Sequence, residues 1–300
     1  EIKKEKIIFT FSTNSTHAIS LPTYEWPRME SERDTDDVVW IPTKTGALSP
    51  KVAFDGTQWL VVWQDMRFGV AGVYGMRIRE DGTILDPIGF PISVRSTPST
   101  NPVVTFVDSH FFVAWIDGRN QGADIYGARV DSQGRVLDPQ GLALVVSAYP
   151  KSSLALASDG QDCMLAFLYS LPVNPGLYVT PVSSSGVVLV PQGITVRINT
   201  VFQPNIAWTG THYLISYNDG AQGYNIAASR VASDGTILEP SWFPIFGWNN
   251  YYMNMYSSVA SSPSNSLISY YSYYYQLGNV TRVVRLNSDG EMLDSPHMKI

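Results

Sequence analysis

Residues 51–92 read KVAFDGTQWLVVWQDMRFGVAGVYGMRIREDGTILDPIGFPI, and the chain repeats this stretch, with drift, four more times. Two anchors fix the register. The first is a five-residue apolar block: WLVVW (59–63), FFVAW (111–115), CMLAF (163–167), YLISY (213–217) and SLISY (266–270). The second is a turn followed by an apolar pair: EDGTILDP (80–87), SQGRVLDP (132–139), SSGVVLVP (184–191), SDGTILEP (233–240) and SDGEMLDS (288–295). The block ends Trp63, Trp115, Phe167, Tyr217 and Tyr270 step by 52, 52, 50 and 53 residues. A period near 50 marks a solenoid, a propeller or an array.

Within one period the β-branched and aromatic runs are short and bounded by Gly, Asp, Asn and Pro. In the first repeat they predict strands at 51–54, 59–64, 72–79 and 83–93. Asp55-Gly56 and Asp81-Gly82 stand between runs, where glycine supplies the positive φ of a tight turn. The block WLVVW is apolar at consecutive positions, as in a strand covered on both faces. Four antiparallel strands per repeat, with covered inner strands, describe the blades of an all-β β-propeller. The repeats run at about 50–99, 100–150, 151–201, 202–255 and 256–300, in a single propeller domain.

Residues 1–48 decide the blade count. Ile7 to Phe11 lies one period before Trp63, and Val38 to Thr43 matches Ile88 to Ser93. This predicts a degenerate first blade and six blades in all. The alternative is five blades, with residues 38–43 as a ring-closing strand or an interface segment. A shared blade is one way to remove a sheet edge.

Hydrophobic residues make up 44% and charged residues 15% of the 300-residue chain, which suits blades buried on both faces. The net charge of −6 argues against nucleic acid, because phosphate contact needs clustered Lys and Arg. No apolar run reaches the ~20 residues of a membrane span. The chain opens on Glu1 rather than Met and is poor in Lys, so an extracytoplasmic location (secreted, periplasmic or cell-surface) is expected.

The first two repeats share Trp-x-Asp-x-Arg (Trp63-Gln64-Asp65-Met66-Arg67; Trp115-Ile116-Asp117-Gly118-Arg119) followed by Val/Ile-Tyr-Gly-x-Arg at 73–77 and 125–129. With the Asp-Gly turns and apolar blocks, this pattern resembles the TolB-type, WD-like propeller repeat of bacterial or archaeal envelope and secreted proteins. The resemblance implies a six-bladed ring and a protein-binding or scaffold role, and it carries over no catalytic residue.

Two groups of candidate binding residues emerge. Asp65, Arg67, Asp117, Arg119 and Asp219 occupy equivalent repeat positions and could converge at a central mouth. Carboxylates after a strand also satisfy their own turns, and repetition places such groups without any ligand. Trp242, Trp248, Tyr251, Tyr252, Tyr271, Tyr273 and Tyr275 form an aromatic stretch suited to a glycan or a protein partner, or to the wedge between blades. No cofactor, metal ligand set or catalytic group is assigned, and the four histidines lack ligand spacing. The expected function is a non-catalytic extracytoplasmic module that binds another protein or self-assembles. The alternative is a lectin or a propeller glycoside hydrolase, which would need carboxylates at the mouth.

Overall fold

A computed structural model describes residues 47–300 apart from 94–95, 121, 199–200, 221–224, 239, 246–251, 263, 275–277, 295–296 and 300. The chain divides into two compact units, Glu1–Pro42 and Thr43–Ile300, and every described residue belongs to the second. The segments 7–11 and 38–43, on which the blade count turned, lie outside the described residues.

Five four-stranded antiparallel meanders form among the described residues. The first comprises β1 (Leu48–Phe54), β2 (Gln58–Asp65), β3 (Gly72–Arg79) and β4 (Phe90–Ser93). The second holds β5 (Ser99–Val107), β6 (His110–Asp117), β7 (Asp124–Val130) and β8 (Leu142–Val145). The third holds β9 (Lys151–Ser158), β10 (Asp162–Tyr169), β11 (Gly176–Ser183) and β12 (Ile194–Ile198). The fourth holds β13 (Val201–Trp208), β14 (Tyr213–Asp219), β15 (Asn225–Val231) and β16 (Phe243–Pro244). The fifth holds β17 (Tyr252–Ser261), β18 (Ser266–Tyr274), β19 (Gly278–Leu286) and β20 (Met298–Lys299). The expected six blades are thereby corrected to five. Among the described residues the fifth draws its four strands from 252–299.

The first strands β1, β5, β9, β13 and β17 pack side by side in chain order. Apolar side chains fill the space between successive sheets. Phe111, Val113 and Trp115 meet Leu60 and Val62, and Leu165 and Phe167 meet Phe112 and Ala114. Every residue of β6 and β14 is buried, as a strand covered on both faces requires. Each fully buried Phe, Leu or Ile contributes about 1.5–3 kcal/mol by leaving water. In the first blade Trp59 is 40% exposed, against 0% for Phe111 and 1% for Tyr213 at the same repeat position.

The fourth strand starts later than the sequence suggests. Residues 83–89 pair with the sheet backbone at the Ile78–Ile84 bridge and form no longer ladder. Pro87 has no N–H for a ladder. Asp86 instead accepts hydrogen bonds from the Arg77 guanidinium at 2.9 Å and from its backbone N–H at 3.0 Å. The same clasp recurs as Arg129–Asp138 and Arg285–Asp294.

Gly176 opens β11 where the backbone of β12 crosses closest. A Cβ there would lie 2.1 Å from the Arg197 carbonyl oxygen and 2.9 Å from the Ile198 Cα. Backbone cannot rotate away as a side chain can. Gly176→Ala is expected to cost about 1–3 kcal/mol of stability, read as a lowered urea midpoint with an unchanged slope.

Candidate functional site: the central mouth

Each first strand carries an irregularity at the same place. The register slips between Leu48 and Lys51, Thr100 and Val103, Phe202 and Asn205, and Met255 and Ser258. In the third blade it slips where β9 meets Ala166 and Leu168. A bulge bends its strand and re-aims a side chain. At the centre of each stands a non-glycine residue with left-handed backbone: Ser49 (φ 53°), Asn101 (51°), Ser153 (52°), Gln203 (50°) and Tyr256 (57°). Such a conformation costs on the order of 1 kcal/mol per residue and persists only where the surroundings enforce it.

These five residues ring one cavity of about 520 Å³. That volume falls within the usual range for small-molecule sites. Ser49 Oγ donates to Asn101 Oδ1 at 3.3 Å, joining the first blade to the second. Asn205 Nδ2 donates to the Ser257 carbonyl at 2.6 Å, joining the fourth to the fifth. Beside the ring lies a second cavity of about 250 Å³, lined by Phe202, Met255 and Tyr256 together with Ser153, Gln203 and Asn218. Tyr256 is 61% exposed, and its ring meets Tyr271 edge-on at 6.3 Å. The mouth therefore offers hydroxyls and amides around most of its rim, with an aromatic face on one side.

The residues singled out from sequence lie elsewhere. Asp65 accepts from Trp63 Nε1 (2.9 Å), the Arg67 N–H (2.8 Å) and Arg67 Nη2 (2.7 Å). Arg67 covers the Tyr74 ring at 4.1 Å and donates to the Ile88 carbonyl. Asp117 accepts from Trp115 Nε1 and from three nitrogens of Arg119, which lies 3.6 Å over Tyr126. Asp219 pairs with Arg197, whose guanidinium lies 4.1 Å from the Trp242 ring. Each carboxylate is thus engaged in its own clasp, and none lines the mouth. Burial by itself would raise the Asp65 and Asp117 carboxyls, but the Arg and Trp hydrogen bonds outweigh it and hold both below the usual carboxylate range.

Of the aromatic stretch, Tyr271 packs against Tyr256 and Tyr273 is 37% exposed. Trp248, Tyr251 and Tyr275 lie outside the described residues, as does the Tyr252 side chain. Of the mouth residues, only Tyr256 stood near a stretch that drew attention in the sequence. One signal was available: Ser49, Asn101 and Gln203 each precede a proline at the repeat period. A residue before proline is ordinarily extended, so its left-handed backbone is not read from the dipeptide. Among the described residues no group of three or more His, Cys, Asp or Glu is placed to hold a metal ion. None of their helices is long and apolar enough to cross a membrane.

No family model and no curated protein matches the chain. Solved structures do. An exo-1,5-alpha-L-arabinanase from a bovine ruminal metagenomic library aligns with a TM-score of 0.50 at 13% identity, over 83% of this chain and 96% of its own. An alpha-L-arabinanase from Cellvibrio cellulosa, complexed with arabinohexaose, aligns at 0.47 and 11%, over 83% and 95%. At such identities the likeness is one of fold.

Two expectations are corrected by the ruminal arabinanase structure. It is a glycoside hydrolase and not a TolB- or WD-type repeat protein, so the resemblance read from the repeats does not stand. The apolar block and Asp-Gly turn are what any four-stranded blade requires, and they do not distinguish propeller families. The protein-binding or scaffold role rested on that resemblance and on the aromatic stretch, and it is overturned by the same comparison.

Proposed function

We propose that this protein binds a saccharide in its central mouth. The observation that carries the reading is the ring of left-handed residues Ser49, Asn101, Ser153, Gln203 and Tyr256 around one cavity. Strained non-glycine backbone gathers where a site must hold a fixed geometry. Hydroxyl and amide groups pair with sugar hydroxyls as donors and acceptors at once. The exposed Tyr256 ring suits the C–H face of a sugar. The arabinanase fold agrees with this class of ligand.

Hydrolysis of the bound saccharide is the second outcome that the test distinguishes. Glycoside hydrolysis uses two carboxyl groups roughly 5–10 Å apart across the bond. Among the described residues the mouth lining contains none.

The test is a glycan array followed by calorimetric titration of arabinan- and xylan-derived oligosaccharides. Tyr256→Ala is expected to weaken binding by roughly two- to tenfold, the worth of about 0.5–1.5 kcal/mol of ring contact. Replacing both Asn101 and Gln203 by Ala should weaken it further. Release of new reducing ends during incubation would move the reading to a hydrolase. An array with no bound glycan would overturn it altogether.

A further inference from the structure

The mouth is not uncharged. Lys51 is the one ionic side chain among the described residues that line it. It follows the bulge of β1, two residues after Ser49, at the register position of Val103 in the second blade. Lys51 also lines a narrower cavity of about 100 Å³ with Val52, Val104, Leu154 and Ile206. Lys51 therefore stands at the throat, where the polar mouth gives way to an axial passage of mainly apolar side chains. An ammonium group loses hydration in that passage and gains nothing from it.

Several other cations in the blades are matched by carboxylates. Arg67, Arg119, Lys151 and Arg197 each pair with an aspartate. Lys51 pairs with none of the described carboxylates. It stands alone in a protein of net charge −6, whose overall field disfavours anions. A lone cation in a neutral hydroxyl- and amide-lined cavity selects for a ligand that brings one negative group among many hydroxyls.

Resting on the saccharide reading above, we propose that the mouth is selective for acidic saccharides, with Lys51 receiving an anionic ring substituent. A uronic acid carboxylate and a sugar sulfate ester share that chemistry. Tyr256 and the Ser49–Asn101 pair would hold the rest of the ring.

The experiment titrates two matched pairs of probes into the intact protein: trigalacturonate with its methyl ester, and a sulfated galactose disaccharide with its unsulfated form. An exposed ion pair is worth about 0.2–1 kcal/mol, so the anionic member of a pair should bind roughly 1.4- to fivefold tighter. That preference should shrink as salt rises from roughly 20 to 500 mM, because the pair is screened. Lys51→Gln should bring the acid-to-ester ratio to about one, and Lys51→Arg should keep it. A thermal midpoint equal to that of the wild type establishes that the variants are folded. The pair whose anionic member gains most identifies the anion as carboxylate or sulfate, and either supports the proposal. Equal binding of acid and ester overturns it while leaving a saccharide mouth intact. A preference that survives Lys51→Gln removes Lys51 from the site. No binding of the four probes by a protein that still binds an array glycan overturns the acidic selectivity, and no binding of these or of any array glycan sinks the saccharide reading itself.

Discussion

Replacing Asp117 by Ala should lower the unfolding free energy by about 3 kcal/mol. Asp117 is fully buried. Its two oxygens accept four bonds: from Trp115 Nε1 at 2.9 Å, and from the Arg119 N–H at 2.9 Å, Nε at 2.8 Å and Nη2 at 2.6 Å. Removing one member of a buried pair strands the other, and here it strands a guanidinium and an indole N–H together. Arg119 keeps its Gln140 carbonyl and its place over Tyr126, and it reaches some solvent, which holds the loss below the upper end of such effects. Asp65→Ala should cost less, since Asp65 accepts three bonds and is 6% exposed. Urea midpoints of the two variants provide the comparison.

The same carboxylates set the acid limit of the fold. The Asp117 pKa is lower in the folded chain than in the unfolded one, so the unfolded chain takes up its proton first as pH falls. The stabilisation is complete above the unfolded value near pH 3.9 and is lost as pH drops through the folded value. His110 and His212 act earlier. Burial depresses both below the ordinary imidazole value, so stability should begin to fall below about pH 6.5, when only the unfolded chain protonates them. Urea midpoints followed from pH 8 downward should therefore decline in two stages. A flat profile between about pH 6.5 and 4 would exclude the histidine contribution. In Asp117→Ala the second stage should be shallower.

The blades were legible because their chemistry is local. An Asp-Gly turn closes on itself, with Asp55 Oδ1 accepting the Thr57 and Gln58 N–H groups and Gly56 at φ 97°. The apolar blocks needed only neighbours of their own kind on either side. The mouth was not legible, because its common property is backbone conformation. Ser49, Asn101, Ser153, Gln203 and Tyr256 share a φ near 50–57° and no side-chain type, so no residue pattern gathers them. Position-by-position repetition drew attention to Asp65, Asp117 and Asp219 instead, where constancy reflects a packing need. The Arg77–Asp86 clasp went unnoticed for a related reason. Its partners lie nine residues apart on either side of a turn, a spacing with no meaning until the hairpin is closed.

Lys151→Met should be the most damaging substitution of the set, at about 3–5 kcal/mol. Lys151 Nζ lies 2.7 Å from Asp124 Oδ1, with the two side chains 0% and 1% exposed, and donates to the Ser147 carbonyl at 3.2 Å. Asp124 also accepts from Asn120 Nδ2 and the Ser147 N–H. The pair joins β7 of the second blade to β9 of the third, beside the Lys151 N–H bond to the Ala123 carbonyl. Methionine fills the volume of the lysine stem but leaves a carboxylate without its counter-ion in a dry site. Lys151→Met combined with Asp124→Leu removes both charges, and stability should return to within about 1–2 kcal/mol of wild type, as apolar replacements of buried pairs commonly do. A double variant as unstable as the single one would mean that packing, and not charge, carries the loss. Restored stability should not restore the mouth. Ser153 follows Lys151 by two residues on β9, so the ion pair anchors the strand immediately before the bulge that aims Ser153 into the cavity. Apolar contacts fill space without fixing direction, whereas a hydrogen-bonded ion pair fixes both. The double variant should bind the saccharide proposed for the mouth roughly threefold more weakly than wild type, the loss of a preorganised rim. Affinity equal to wild type would confine the Lys151–Asp124 pair to holding the two blades together.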